Sequence, residues 1–124
     1  MITIKIPFKT PTVNHLYGRA GIRSYLKPEA KKMREEITSI IIKQGLQYPL
    51  DLIGKNLKVI VEVYEDWYTK KGTVKRKDVS NREKFLIDSV MNAIGIDDKF
   101  IFNHSMIKCQ SEEEYCLIKI EVLS

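Results

Sequence analysis

The sequence predicts an α+β domain, a small mixed β-sheet with two main helices on one face, filling residues 1–124 as a single unit. Three observations carry that prediction. Apolar and polar residues alternate near both ends of the chain and in its middle, the signature of half-buried strands. Two other stretches repeat apolar residues at helical spacing, and each is closed by a glycine. A chain of 124 residues also suits one compact domain with a real core.

The elements follow in the order β, loop, α, β, α, β, β. Ile2, Ile4, Ile6 and Phe8 alternate with polar residues or proline, so residues 2–8 read as a strand and not as a signal peptide. The stretch "KTPTVNHLYGRAGIRSYL" is rich in turn formers and aromatics, and reads as an ordered loop or irregular hairpin. Pro28 suits a first helical turn. Ala30, Met33, Ile37, Ile40 and Ile41 then recur at helical spacing up to Gly45, a C-terminal stop. "NLKVIVEVYEDWY" is the strongest strand, with Leu57, Val59, Val61 and Val63 on one face and Ile60 and Tyr64 on the other. A basic loop leads to a second helix over residues 81–94. Ser80 and Glu83 have the spacing of a capping box, where each side chain bonds the other's backbone. Phe85, Leu86, Val90, Ala93 and Ile94 supply the apolar side, and Gly95 ends it. "KFIFNHSMIKC" and "YCLIKIEVL" read as closing strands joined by the acidic turn "QSEEE". Cys109 and Cys116 flank that turn as in a hairpin. They could face each other, but both read as reduced packing residues.

Composition narrows the function. The chain is 44% hydrophobic and 30% charged, with no repeat or low-complexity tract. Its longest apolar runs, such as that in "IIIK", are far too short to span a membrane. There is no GxGxxG, Walker loop or nucleophile elbow, and no CxxC or Cys/His cluster for zinc. His15 and His104 have no partner at ligand spacing and read as structural or surface residues. A net charge of +5 and a pI near 9.2 favour a polyanionic partner. "TKKGTVKRKD" sets Lys70, Lys71, Lys75, Arg76 and Lys77 directly before Asp78. Lys27, Lys31, Lys32 and Arg34 form a second set around the start of the first helix. Either set alone suits a solvated face; cations running straight into aspartates suit it less well. Tyr64, Trp67 and Tyr68 beside the basic loop suit stacking on unpaired bases, or packing in the core or sheet edge.

The chemistry concentrates in Asp78, Asp88, Asp97 and Asp98, with Asn81 and Lys84 between them. Hard cations such as Mg²⁺ take oxygen ligands, commonly carboxylates plus water and phosphate. Two such ions can steady the attacking and leaving oxygens of a phosphodiester, and a lysine can hold the phosphate. Ordinary roles fit the same residues. Asp78 suits a helix start, Asp97 and Asp98 suit a turn after Gly95, and Lys84 with Asp88 suits an exposed pair one turn apart.

Beyond generic chemistry, "KDVSNREKFLIDSVMNAIGIDDKFI" resembles the signature of the RusA family of Holliday junction resolvases. That signature runs roughly D-x-D-N-x-x-K-x-x-x-D, an apolar helix, then D-D. Asp78 matches the first aspartate, and Asn81, Lys84 and Asp88 match the Asn, Lys and later Asp. Asp97 and Asp98 match the closing pair. "PTVNHLYGRAGIRSYLKPEAKKMREEI" is similar to the family's N-terminal segment, and Lys108 falls where the family often has a lysine. The resemblance implies a homodimeric endodeoxyribonuclease that binds four-way DNA junctions and nicks two strands symmetrically, in recombination and repair. It implies Mg²⁺, with Mn²⁺ a possible substitute, and a cytoplasmic setting in a prokaryote, prophage or mobile element. Asp78, Asp97 and Asp98 would hold metal, with Lys84 and Asp88 joining them in catalysis. Lys70, Lys71, Lys75, Arg76, Lys77, Asn81 and Lys108 would contact DNA.

One position departs from the family pattern. Ser80 stands where the second aspartate belongs, and a hydroxyl is a poor metal ligand beside a carboxylate. The rival reading is therefore a non-catalytic or weakly catalytic branched-DNA-binding protein of the same fold. A basic protein-interaction domain would explain the charges but not the ordered acidic array. A straight helix over 81–94 is roughly 21 Å long at ~1.5 Å per residue. That length separates Asp78 from Asp98 within one chain, and points to sites shared across a dimer two-fold.

Overall fold

A computed structural model of the chain describes residues 1–8, 17–20, 23–74 and 80–123, with the stretches 17–20, 23–26 and 80–81 described by backbone alone. The chain divides into two compact units. One comprises residues 1–9, 49–76 and 97–124, and the other residues 10–48 and 77–96.

The first unit is built on a four-stranded mixed sheet. Its strands are β1 (Ile2–Ile6), β4 (Leu57–Glu65), β5 (Ile101–Gln110) and β6 (Tyr115–Val122), in the order β1-β6-β4-β5. β1 stops at Ile6 rather than Phe8, since Pro7 has no N–H to give to the ladder. In β4 the expected alternation holds: Leu57, Val59, Val61 and Val63 are buried, while Ile60 and Tyr64 are half-buried. The four buried residues, together with Ile4, Ile6, Ile118 and Ile120, form the core of this sheet. The other face of β4 is stapled by Tyr64. Its ring stacks on Tyr115 at 4.4 Å, and its hydroxyl donates to Glu62 Oε1 at 3.1 Å. Burial first, then the Glu62 carboxylate, pushes the Tyr64 phenol above its ordinary pKa.

The closing strands differ from the expected hairpin. β6 pairs antiparallel with β4 and β5 pairs parallel with it, so they lie on opposite sides of β4. The "QSEEE" turn carries the chain past the end of β4, where Ser111 N donates to Glu65 O at 3.1 Å. The reason lies in the two patterns. β6 alternates cleanly, with Cys116, Ile118 and Ile120 buried, and takes an interior place between β1 and β4. β5 is exposed along most of its length and takes an edge. Cys109 consequently sits beside Tyr64 and Cys116 beside Val63, on either side of β4. Both thiols are free of disulfide, Cys116 buried and Cys109 half-buried, as packing residues should be.

The second unit holds both long helices and a two-stranded antiparallel pair, β2 (Tyr17–Ala20) with β3 (Arg23–Leu26). The pair realises the irregular hairpin over that part of the aromatic stretch; His15 lies outside the described residues. α1 (Pro28–Lys43) begins with Pro28 in its first turn and buries Ala30, Ile37 and Ile41. Gly45, at φ 67°, lets the chain leave the helix. α2 (Ser80–Ile94) starts at Ser80 itself, one residue earlier than expected; the Ser80 half of the capping box lies outside the described side chains. Phe85, Leu86, Val90, Ala93 and Ile94 are buried as predicted, and so are Arg82 and Ser89. The two helices meet through Arg34, whose Nε donates to Ser89 Oγ at 3.1 Å while its guanidinium lies 5.8 Å from the centre of the Phe85 ring. Arg34 is thus held at a helix interface and does not lie on a plain solvated face. Among the described residues no helix is long and apolar enough to cross a membrane.

Candidate metal centre and nucleic-acid surface

The acidic pair is delivered by the end of α2. Gly95 sits at φ 81°, in the left-handed region, and the amides of Gly95 and Ile96 both donate to Met91 O, at 3.0 and 3.2 Å. This closes the helix and turns the chain. A side chain at Gly95 would also run into the Tyr48 ring. Beyond the turn, Asp97 is extended and caps the short 3₁₀ turn Asp98–Phe100, its Oδ1 accepting from Lys99 N at 2.9 Å. One oxygen of Asp97 therefore does the ordinary work of a turn residue. Asp98 is exposed, and among the described residues its carboxylate has no hydrogen bond or ion pair. The neighbouring Lys99 ammonium lies over the Phe100 ring instead, 5.3 Å from its centre.

On α2, Lys84 is exposed and Asp88 half-buried, one helical turn apart. Positions 81, 84 and 88 fall along one stripe of the helix at 3.6 residues per turn. Lys84, Asp88 and the next member of that stripe, Asn92, lie on its least buried side, opposite the apolar face. The Asn81 side chain, and the whole of Lys75, Arg76, Lys77 and Asp78, lie outside the described residues. Among the described residues, no group of three or more His, Cys, Asp or Glu side chains is placed to hold a metal ion. The oxygen donors named by the sequence nonetheless suit a hard divalent cation. Asp98 has both oxygens uncommitted among the described residues, and Asp97 has one committed to Lys99 N.

The basic side is better ordered than a bare loop would be. Tyr68 and Val74 form a β-bridge, Thr69 N donates to Thr73 O at 2.7 Å, and the two threonine hydroxyls lie 2.7 Å apart. With Gly72 at φ 80°, this makes a tight turn that holds Lys70 and Lys71 exposed at its tip. The turn grows from an anchored base. Trp67 is buried, its Nε1 donates to Val63 O at 3.1 Å, and its amide donates to Gln110 Oε1 at 3.0 Å. Gln110 Nε2 in turn donates to Asp66 Oδ1 at 3.0 Å. The packing roles of Trp67 and Tyr64 are therefore the realised ones, while Tyr68 stays exposed. Lys108, on exposed β5, lies with Nζ 4.9 Å from the centre of the Trp67 ring. The ring face attracts the ammonium electrostatically, and Lys108 is exposed. His104 is exposed in the same strand, as expected of a surface residue.

Sequence reasoning missed the Asp66–Gln110–Trp67 network and the Arg34–Ser89 bond. Neither leaves a local signal, because each joins residues that are distant in the chain. Residues 7–122 match the family model for Endodeoxyribonuclease RusA. No curated protein matches the sequence.

Proposed function

The chain belongs to the RusA family of endodeoxyribonucleases, and from that membership we propose that it resolves four-way DNA junctions by paired, Mg²⁺-dependent nicks as a homodimer. The match across nearly the whole chain carries this reading. The exposed Asp98 carboxylate supports it.

Asp78, Asp97 and Asp98 would hold the metal, Mg²⁺ or Mn²⁺, whose bound charge offsets that building on the attacked phosphate. Lys84 places a cation on the reacting phosphate. Asp88, one turn along α2 on the same stripe, joins Lys84 in catalysis. Water adds to phosphorus, one P–O ester bond breaks, and a phosphomonoester and a hydroxyl remain. Lys70, Lys71, Lys75, Arg76, Lys77 and Lys108, with Asn81, hold the sugar–phosphate backbone, which gives affinity without sequence readout. The site is shared between subunits, with Asp78 and Lys84 from one and Asp97 and Asp98 from the other.

A second reading is favoured by one residue. Ser80 replaces the family's second carboxylate, which fits a protein that holds branched DNA and cuts it slowly. A synthetic four-way junction and a matched duplex, each with Mg²⁺, Mn²⁺ or EDTA, separate the two. Metal-dependent paired nicks confined to the junction support the resolvase. Tight junction binding with no cutting in any metal supports the binding protein. To test the shared site, Asp78→Asn and Asp98→Asn homodimers should each be inactive, while their mixed dimer nicks one strand. An inactive mixture with proven subunit exchange would place all the carboxylates within one chain.

A further inference from the structure

Between α1 and α2 runs an open groove of about 620 Å³, lined by Lys31, Arg34, Glu35, Thr38, Lys43 and Asn92 among others. Among the described residues, three cations line it against one carboxylate. Lys31 and Lys43 are exposed, and neither has an ion-pair partner among the described residues.

Arg34 is the feature that distinguishes this groove from a merely basic surface. Its Nε is spent on Ser89 Oγ and its guanidinium is held near the Phe85 ring, so the planar group has little freedom left. Its two terminal amines have no partner among the described residues. A guanidinium already held in place, with its outer donors unspent, suits bidentate binding of a phosphate, and loses little entropy in doing so. Thr38 spends its hydroxyl on Arg34 O at 2.9 Å, which ties the arginine's own turn of α1.

We propose that this groove is a second DNA-backbone site, in which Arg34 grips one phosphate and Lys31 and Lys43 take its neighbours along the strand. The proposal rests on the DNA-acting reading above and extends it to residues outside the acidic motif. The dimensions agree. Lys31 and Lys43 are twelve positions apart on α1, about 18 Å at ~1.5 Å per residue. With α1 parallel to a duplex axis, at one phosphate per ~3.4 Å of that axis on each strand, the length spans roughly five phosphates of a strand. The direction agrees too. Asn92, on the groove's α2 wall, lies one turn beyond Asp88 on the stripe that carries Lys84. A backbone lying in the groove therefore continues onto the stripe that bears the reacting-phosphate cation. Among the described residues that line the groove, Glu35 is the one opposing charge, and it limits how tightly the groove holds.

The test is equilibrium binding of the full chain to a four-way junction and a duplex in EDTA, across a salt series. The variants are Lys31→Gln with Lys43→Gln, and Glu35→Gln, all at exposed positions. The double variant should lose about 1.8 from the log–log salt slope, at ~0.9 per lost phosphate contact. Glu35→Gln should bind more tightly at every salt concentration. A wild-type slope in the double variant overturns the groove while leaving the junction-resolving reading intact. A wild-type chain that binds neither DNA overturns both.

Discussion

Replacing Gly95 with alanine perturbs the turn that delivers the acidic pair, and the cost can be worked from two features. The first is the backbone. Gly95 sits at φ 81°, and an L residue held in the left-handed region costs about 1–2 kcal/mol. The second is space. The new methyl would run into the Tyr48 ring, and overpacking costs about 1–3 kcal/mol. Tyr48 is 65% exposed, so its ring can swing out and the lower end of that range applies. Leaving is not free, because Tyr48 is itself held at φ 51° with its amide on Ile94 O at 2.8 Å. The sum is about 2–3 kcal/mol, a large share of the ~5–15 kcal/mol that stabilises a typical domain. Urea denaturation measures it, with Gly95→Ala made both alone and in a Tyr48→Ala background. The ring contribution, about 1 kcal/mol, should vanish in that background, while the backbone cost should remain. A loss below about 0.5 kcal/mol in the single variant would refute the reasoning. Junction cutting by Gly95→Ala should fall further than stability alone explains, since Asp97 and Asp98 follow the turn directly.

Three further outcomes are expected. Ser80→Asp restores the family's second carboxylate and should raise cutting at low Mg²⁺, measured as nicking rate against metal concentration; a loss of activity would mean the site is built around the serine. Replacing Lys75, Arg76 and Lys77 together with alanine should weaken junction and duplex binding alike and lower the salt slope by about 2.7, at ~0.9 per contact; an unchanged slope returns that stretch to a solvated loop. Tyr64→Phe tests the raised phenol. Its folded pKa lies above the unfolded value near ~10, so its contribution is complete below pH ~10 and is lost as pH rises through the folded value. Urea midpoints at about pH 9 and about pH 11 should therefore diverge less in Tyr64→Phe than in the wild type.

The local elements of this protein were legible from the sequence alone. The valines of β4, the apolar repeat of α1 and the glycines after both helices act within a few residues, and each appears where its pattern puts it. The acidic motif was legible for the same reason, since spacing along one chain carries it. Pairing was not. "QSEEE" looks like a hairpin turn, and only competition for β4 decides otherwise: the apolar β6 takes the interior and the polar β5 the edge. Asp97 and Asp98 are equal in sequence, but the backbone of one short turn commits an oxygen of Asp97 to Lys99 N and leaves Asp98 exposed. Arg34 is one cation among several on a helix until Ser89 and Phe85, more than fifty residues away, fix its plane. Local periodicity is set by backbone geometry and can be read in one dimension. Which side chain is held, and which stays free to bind, depends on contacts between residues far apart in the chain.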